Sequence, residues 1–397
     1  MVASRVDRNI AGSTVDVASR ALLAWADHGA STTDPGPVVL ASTLDRTDPA
    51  VGRALRAWLA GLRDRTCAHP GLFGGLAGQL AGLRLIATLH PAAGNAADAI
   101  ATLLARGARE GVWATEHVGF LDYDLIGGPA GVLLAHCVHG PRDGELAPFA
   151  MHLATLCEDP ELNGLRCRVY GEHKLLHWTQ DRINVGLGHG VPGVAVALAA
   201  AVRADPADER AAAALRRVGR WLANEAYGDE RGILTWCGTG RDGERPAPGA
   251  HPRQAWCYGA PGVAWSLWEA SAALAARGTR TVAEELGDVA VTAMRSLCRN
   301  YDESFHLFGD TASDRLAICH GAAGVLAVAD AFARWADLTE AAQLRDRLRE
   351  HLEQHLDEVV ALAPTNMRLL DGAAGVLAVL CSTAGASRDW MPLVALR

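Results

Sequence analysis

The stretch Trp256-Cys257-Tyr258-Gly259-Ala260-Pro261-Gly262 decides how the rest of the chain is read. Its ending, Gly-x-x-Gly running into an apolar segment, occurs six times. The copies are Gly75-Leu-Ala-Gly78, Gly128-Pro-Ala-Gly131, Gly190-Val-Pro-Gly193, Gly259-Ala-Pro-Gly262, Gly321-Ala-Ala-Gly324 and Gly372-Ala-Ala-Gly375. Their first glycines are spaced by 53, 62, 69, 62 and 51 residues. A period of that size holding two helices marks a helical-hairpin repeat.

The segments that follow the glycines, such as 194–202 and 325–332, are apolar nearly all round and are expected to be buried on both sides. Between copies lie amphipathic stretches, such as 211–226 and 338–352, suited to an outer layer. Glycine at the start of a helix permits a sharp turn and close backbone approach. Pro129, Pro192 and Pro261 fall in the first helical turn, where a missing N–H is harmless. Hairpins of this kind form an open solenoid or close into an α/α toroid. The small residues after each glycine pair favour tight packing about an axis, so the expectation is an all-α chain forming one closed toroid over residues 1–397.

Three regions depart from the repeat. Residues 1–60 read as helical, with Val15, Ala18, Leu22, Leu23 and Trp25 on an apolar face, and Thr32-Thr33-Asp34-Pro35-Gly36-Pro37 breaks the pattern. Residues 157–184 mix charge, Gly, His and Trp, and residues 237–255 are rich in Gly, Pro and charge. Both precede a glycine turn that carries a candidate site residue, and both read as rim insertions that shape a cleft.

Of the 397 residues, half are hydrophobic and 21% are charged, as expected of a globular chain. A net charge of −8 argues against a protein built to grip nucleic acid. The polar opening residues and the lack of an apolar run of membrane-spanning length predict neither signal peptide nor transmembrane helix. Nine scattered cysteines without a paired framework read as reduced thiols, consistent with a cytoplasmic protein. Cys67, Cys137 and Cys381 read as small core residues.

In two copies of the turn, cysteine stands at the same register: Cys257-Tyr258 before Gly259, and Cys319-His320 before Gly321. In a third, His189 stands before Gly190. If the copies are equivalent, these side chains share one rim, where helix N-termini favour thiolates. Cys257, Cys319 and His320 would bind Zn2+ and leave a fourth tetrahedral position open, as catalytic zinc sites do. The plain alternative is burial of two free cysteines, since their spacing matches no zinc-finger pattern. Similarly, His189 could be a core or capping histidine, Asp124 a cap of the helix that follows it, Arg253 a solvated loop residue, and Asp371 a cap of its own helix.

At these positions the chain resembles the lanthipeptide synthetase C-type cyclases. The matching motifs are Tyr-Asp124-Leu-Ile-Gly-Gly-x-x-Gly, Gly-His189-Gly-x-Pro-Gly, Arg253-x-x-Trp-Cys257-Tyr258-Gly-x-Pro-Gly and Cys319-His320-Gly-x-x-Gly. They occur in the family's order, over a resemblance that runs from about Leu72 to the C-terminus. It implies an α,α-toroid of seven inner and seven outer helices, so a seventh inner helix would lie near the N-terminus without its glycine motif. The implied reaction is Michael-type addition of a peptide cysteine to dehydroalanine or dehydrobutyrine, giving a thioether ring. The implied partners are a dehydrated precursor peptide and a separate dehydratase. By carry-over, His189 is the acid/base candidate and Asp124 orients it or assists thiol deprotonation. Arg253 and Tyr258 stabilise the enolate or position the peptide. No nucleotide or redox cofactor is expected.

Other readings remain at this level. A glutathione-adding branch of the same family would share the metal and acid/base groups. A protein prenyltransferase-like toroid also activates a thiol with zinc, but through a carboxylate, Cys and His, and the paired cysteines here favour the cyclase. A glycosidase would need paired carboxylates at the cleft. A non-catalytic zinc-stabilised scaffold would need the metal but not His189 or Asp124.

Overall fold

Each of the six glycine turns feeds a buried helix, and a seventh such helix completes the ring. The structure is a computed structural model and describes residues 5–29, 31–64, 69–240 and 253–397. Among them, seventeen helices account for nearly all regular structure. The outer layer comprises α1 (Arg5–His28), α3 (Pro49–Asp64), α5 (Pro91–Arg109), α7 (Ala147–Leu156), α9 (Glu209–Glu225), α11 (Arg280–Asn300) and α15 (Thr339–Gln354). The inner layer comprises α2 (Gly36–Ser42), α4 (Leu76–Ala87), α6 (Pro129–His136), α8 (Val191–Ala204), α10 (Ala260–Ala276), α14 (Ala322–Trp335) and α17 (Ala373–Thr383). Short helices α12 (Glu303–His306), α13 (Ala312–Leu316) and α16 (Leu356–Leu362) lie in connections. Successive inner helices pack on one another, and α17 packs on α2, which closes an all-α toroid.

The expected division of labour between the helices holds. Residues Val191 to Val202 of α8 are buried without interruption, whereas α9 buries one stripe that includes Ala211, Leu215, Val218 and Leu222. Pro129, Pro192 and Pro261 all fall in first turns. The second glycine of each pair has a steric reason. A Cβ on Gly324 would lie 2.0 Å from the Ile318 carbonyl oxygen and 2.7 Å from Trp256 Cβ, so no side chain fits.

One expectation needs correction. The segment 32–37 reads as a break, yet the seventh inner helix, α2, starts inside it. Pro35 and Pro37 look like loop signals, but proline fits the first helical turn. Gly36 takes the place of the missing motif: a Cβ there would lie 2.2 Å from the Met367 carbonyl oxygen. Of the three cysteines read as core residues, Cys381 is buried and Cys137 half-buried, and Cys67 lies outside the described residues.

A belt of hydrogen bonds joins the turns around the rim. Leu72 N–H donates to Ile126 O (2.9 Å), Leu125 to Gly188 (3.0 Å), Leu187 to Cys257 (2.7 Å), Cys257 to Cys319 (3.2 Å) and Cys319 to Leu370 (2.9 Å). At the seventh position side chains substitute for backbone. Leu369 N–H donates to Asp34 Oδ1 at 2.9 Å, and Thr33 Oγ1 donates to Gly74 O at 2.9 Å. The C-terminal residues brace the ring from another direction. Trp256 Nε1 donates to Val394 O and Trp265 Nε1 to Ala395 O, each at 2.8 Å, and Leu393 to Leu396 are buried.

Candidate active site

The rim belt sets the register of the candidate metal ligands. Cys257 ends the turn into α10, and Cys319 and His320 end the turn into α14. The backbone bond from Cys257 to Cys319 holds the two turns side by side. As a result the donor atoms of Cys257, Cys319 and His320 all lie within 4.8 Å of one another, with Cys257 Sγ 3.1 Å from His320 Nδ1. Among the described residues no other trio of His, Cys, Asp or Glu side chains meets this condition.

The electrostatics suit a cation. The neighbouring Cys257 thiol and burial push the Cys319 thiol well above the ordinary range. Contact with Cys319 raises His320. Two thiols and an imidazole in mutual contact disfavour a second negative charge, and a divalent ion reverses that balance. Two sulfurs and one imidazole nitrogen suit zinc better than magnesium or calcium, so the residues present fit the metal.

A second pair stands on the neighbouring turns. Asp124 is fully buried before α6, and His189 stands before α8. Asp124 Oδ1 accepts from Gly127 N–H and Gly128 N–H, each at 2.8 Å, while Oδ2 lies 2.6 Å from His189 Nδ1. Asp124 therefore does cap its turn, and it also holds the imidazole. With Nδ1 engaged and the His189 side chain 40% exposed, Nε2 is left for chemistry.

Tyr258 and Arg253 flank the metal trio. Asn184 Nδ2 donates to the Tyr258 hydroxyl oxygen at 2.9 Å, and burial keeps that hydroxyl protonated well beyond its usual range. Arg253 is not a solvated loop residue. Its guanidinium lies 4.2 Å from the Phe308 ring centre, and Nη1 is buried without a hydrogen-bond partner among the described residues. Asp371 pairs with Arg368 at 2.5 Å and does not cap α17.

Three residues that support the site were not singled out in the sequence. Phe120 stacks on His189 with ring centres 4.9 Å apart and 21° between planes. Asn184 orients Tyr258 and also accepts from Gly186 N–H at 2.7 Å. Trp178 lies 6.4 Å from Tyr258, ring to ring. Only Asn184, close before the Gly-His motif, carried a local hint. The segment 157–184 does fold against this rim: Tyr170 OH accepts from Phe120 N–H at 2.9 Å, and Arg168 N–H donates to Val118 O at 2.9 Å. Of the segment 237–255, residues 241–252 lie outside the described residues, while Gly238 O accepts from Val185 N–H at 2.9 Å.

Comparison with known proteins agrees with this architecture. Residues 39–394 match the family model described as lanthionine synthetase C-like protein, and the chain belongs to that family. Among solved structures it is similar to nisin cyclase, with a TM-score of 0.73 and 19% sequence identity over 98% of this chain and 97% of that one. No curated protein matches the sequence. No helix among the described residues is long and apolar enough to cross a membrane.

Proposed function

We propose that this chain is a zinc-dependent peptide cyclase that adds cysteine thiols to dehydroalanine or dehydrobutyrine, forming lanthionine or methyllanthionine rings. The observation that carries the reading is the Cys257–Cys319–His320 trio on the same rim as the Asp124–His189 pair, in a member of this family. Zinc held by the trio would supply a Lewis acid with an open position, which lowers the pKa of a substrate thiol from about 8.5.

The protein's own groups account for the proton and charge movements. The new bond joins the cysteine sulfur to the alkene β-carbon, the π-electrons move onto the carbonyl oxygen, and the α-carbon gains a proton. His189 Nε2 takes the thiol proton or returns one to the α-carbon, with Asp124 fixing Nδ1 as the protonated nitrogen. Because Asn184 donates to the Tyr258 oxygen, the phenol's own hydrogen is free for a peptide carbonyl. Arg253, whose Nη1 has no hydrogen-bond partner among the described residues, offers positive charge to the enolate. Atoms and electrons balance without an oxidant. The dehydrated residues require a dehydration step before ring closure, which makes a dehydratase the expected biosynthetic partner.

The test is incubation of zinc-loaded protein with a dehydrated, cysteine-containing peptide, counting free thiols by alkylation because ring closure leaves the mass unchanged. Loss of peptide thiols with wild type, and their retention with His189→Ala, is the expected result. Peptide thiols that persist while the peptide gains the mass of glutathione, seen only when glutathione is supplied, would replace cyclisation by glutathione addition. Unchanged peptide under every condition would overturn the reading.

A further inference from the structure

Trp178 stands partly exposed on the segment that folds over the rim, with 38% of its surface open to solvent. Its ring faces Tyr258, the residue that follows the metal-ligand candidate Cys257, at 6.4 Å and an interplanar angle of 56°. The two rings meet as a tilted aromatic pair. Between them the backbone presents Gly238, whose missing Cβ would lie 3.6 Å from Trp178 and 3.6 Å from Tyr258. Gly186 underlies Tyr258 on another side, where a Cβ would come within 2.6 Å of the ring. Tyr258 is thus fixed by Asn184 and Gly186, whereas Trp178 rests against it and Gly238 and keeps an outer face in water.

Exposed large apolar side chains are concentrated here. Val169, Leu175 and Trp178 lie on this one segment, and Leu121 lies on the loop against which its Tyr170 packs. An indole left in water beside a reactive rim marks a binding surface more than a structural need. Continuity with the metal trio makes the reacting chain the occupant.

We propose that the exposed face of Trp178, backed by Tyr258 and Gly238, forms a subsite for an aromatic or branched-aliphatic residue of the peptide, next to the cysteine that reacts. This selects among peptide substrates and rests on the cyclase reading for the identity of the ligand. Trp178 is a specificity-determining residue here, not a catalytic one. Burial of one such side chain against the exposed indole face corresponds to a preference of roughly tenfold over glycine.

The test separates binding from turnover. Zinc-loaded protein is offered a mixture of synthetic cysteine peptides that contain alanine in place of every dehydrated residue, with the position beside cysteine randomised, and the retained peptides are sequenced. Wild type enriches aromatic and branched-aliphatic residues. Trp178→Ala loses the enrichment, Trp178→Phe keeps most of it, and Gly238→Val, whose added carbons crowd both rings, abolishes it. Zinc content and helicity measured beside each variant identify any that fails to fold, and the remaining variants then carry the comparison. No enrichment by wild type overturns the subsite, as does enrichment that survives both Trp178→Ala and Gly238→Val. A shift from oligomer to monomer in Trp178→Ala on gel filtration would assign the surface to a second copy of the chain and also overturn it. Enrichment by a wild type that closes no ring with dehydrated peptides would uphold the subsite and reject the cyclase reading.

Discussion

Asp34 and Leu369 are 335 positions apart in the chain, yet one hydrogen bond of 2.9 Å between them closes the rim. Asp34 Oδ1 also accepts from Gly36 N–H at 2.8 Å, so one buried carboxylate starts the first inner helix and receives the turn into the last.

The protonation state of Asp34 should therefore register in stability. Burial raises its pKa from 3.8 to about 6, against the lowering effect of the Gly36 and Leu369 N–H groups. The folded chain holds this proton more tightly than the unfolded one. Its contribution is complete below about pH 3.8 and is lost as pH rises through about 6. A shift of this size corresponds to about 3 kcal/mol. Asp34→Asn keeps the acceptor without the charge, so its stability relative to wild type should rise between pH 4.5 and 7.5 in paired denaturant titrations. Asp34→Ala strands two buried N–H groups and should cost about 1–3 kcal/mol at pH 4.5. A wild-type minus Asp34→Asn difference that does not change with pH would disprove the linkage.

The metal trio makes a prediction that does not depend on substrate. Purified wild type should carry about one zinc per chain, with Cys257→Ala and Cys319→Ala reduced at least tenfold in affinity, because each removes one of three protein ligands. His189→Ala should keep its zinc. Elemental analysis after dialysis against a weak chelator decides this, and a folded, metal-free wild type would reduce the trio to a cluster of buried thiols.

Asp124 separates positioning from folding. Asp124→Asn retains an oxygen for Gly127 and Gly128 but turns an amide N–H toward His189 Nδ1, which forces the other tautomer. Cyclisation should fall by about 10²–10⁴ in kcat with little change in melting temperature. Asp124→Ala should lose both, costing about 1–3 kcal/mol as the two turn N–H groups lose their acceptor. Equal loss of stability in the two variants would contradict this division.

The glycines offer a structural control. Gly324→Ala drives a Cβ into backbone that cannot move aside and should be among the most destabilising single changes, about 3 kcal/mol or more. Gly94→Ala in α5 meets nothing within 4 Å and should be neutral or stabilising by up to about 1 kcal/mol. Thermal melts of the two variants provide the comparison.

What the sequence could announce follows from these contacts. Gly324 and its counterparts are demanded by backbone within the same turn, so the demand recurs in the sequence as a motif, and six of the seven inner helices could be located from it. The seventh could not, because Gly36 avoids a carbonyl of residue 367 and its turn is completed by the side chains of Thr33 and Asp34. Cys257, Cys319, His320, His189 and Asp124 were legible because each sits at a fixed offset from its glycines. Phe120, Trp178 and Asn184 reach the site from connections with no period, and only the folded chain brings them there. For Arg253 the alternative of a solvated loop residue fails for a reason no local signal carries, since its guanidinium packs over Phe308 on a connection 55 residues later.

The rim belt also imposes an order on synthesis. Cys319 takes its backbone acceptor from Leu370, and the last turn of the ring is tied to Asp34, so residues made later fix those made earlier. While the last two glycine turns are still within the ribosome, Cys257 has its Leu187 neighbour but not Cys319. The nascent chain therefore carries its thiols as an unassembled set, and the reactive rim comes into being only when the circle closes.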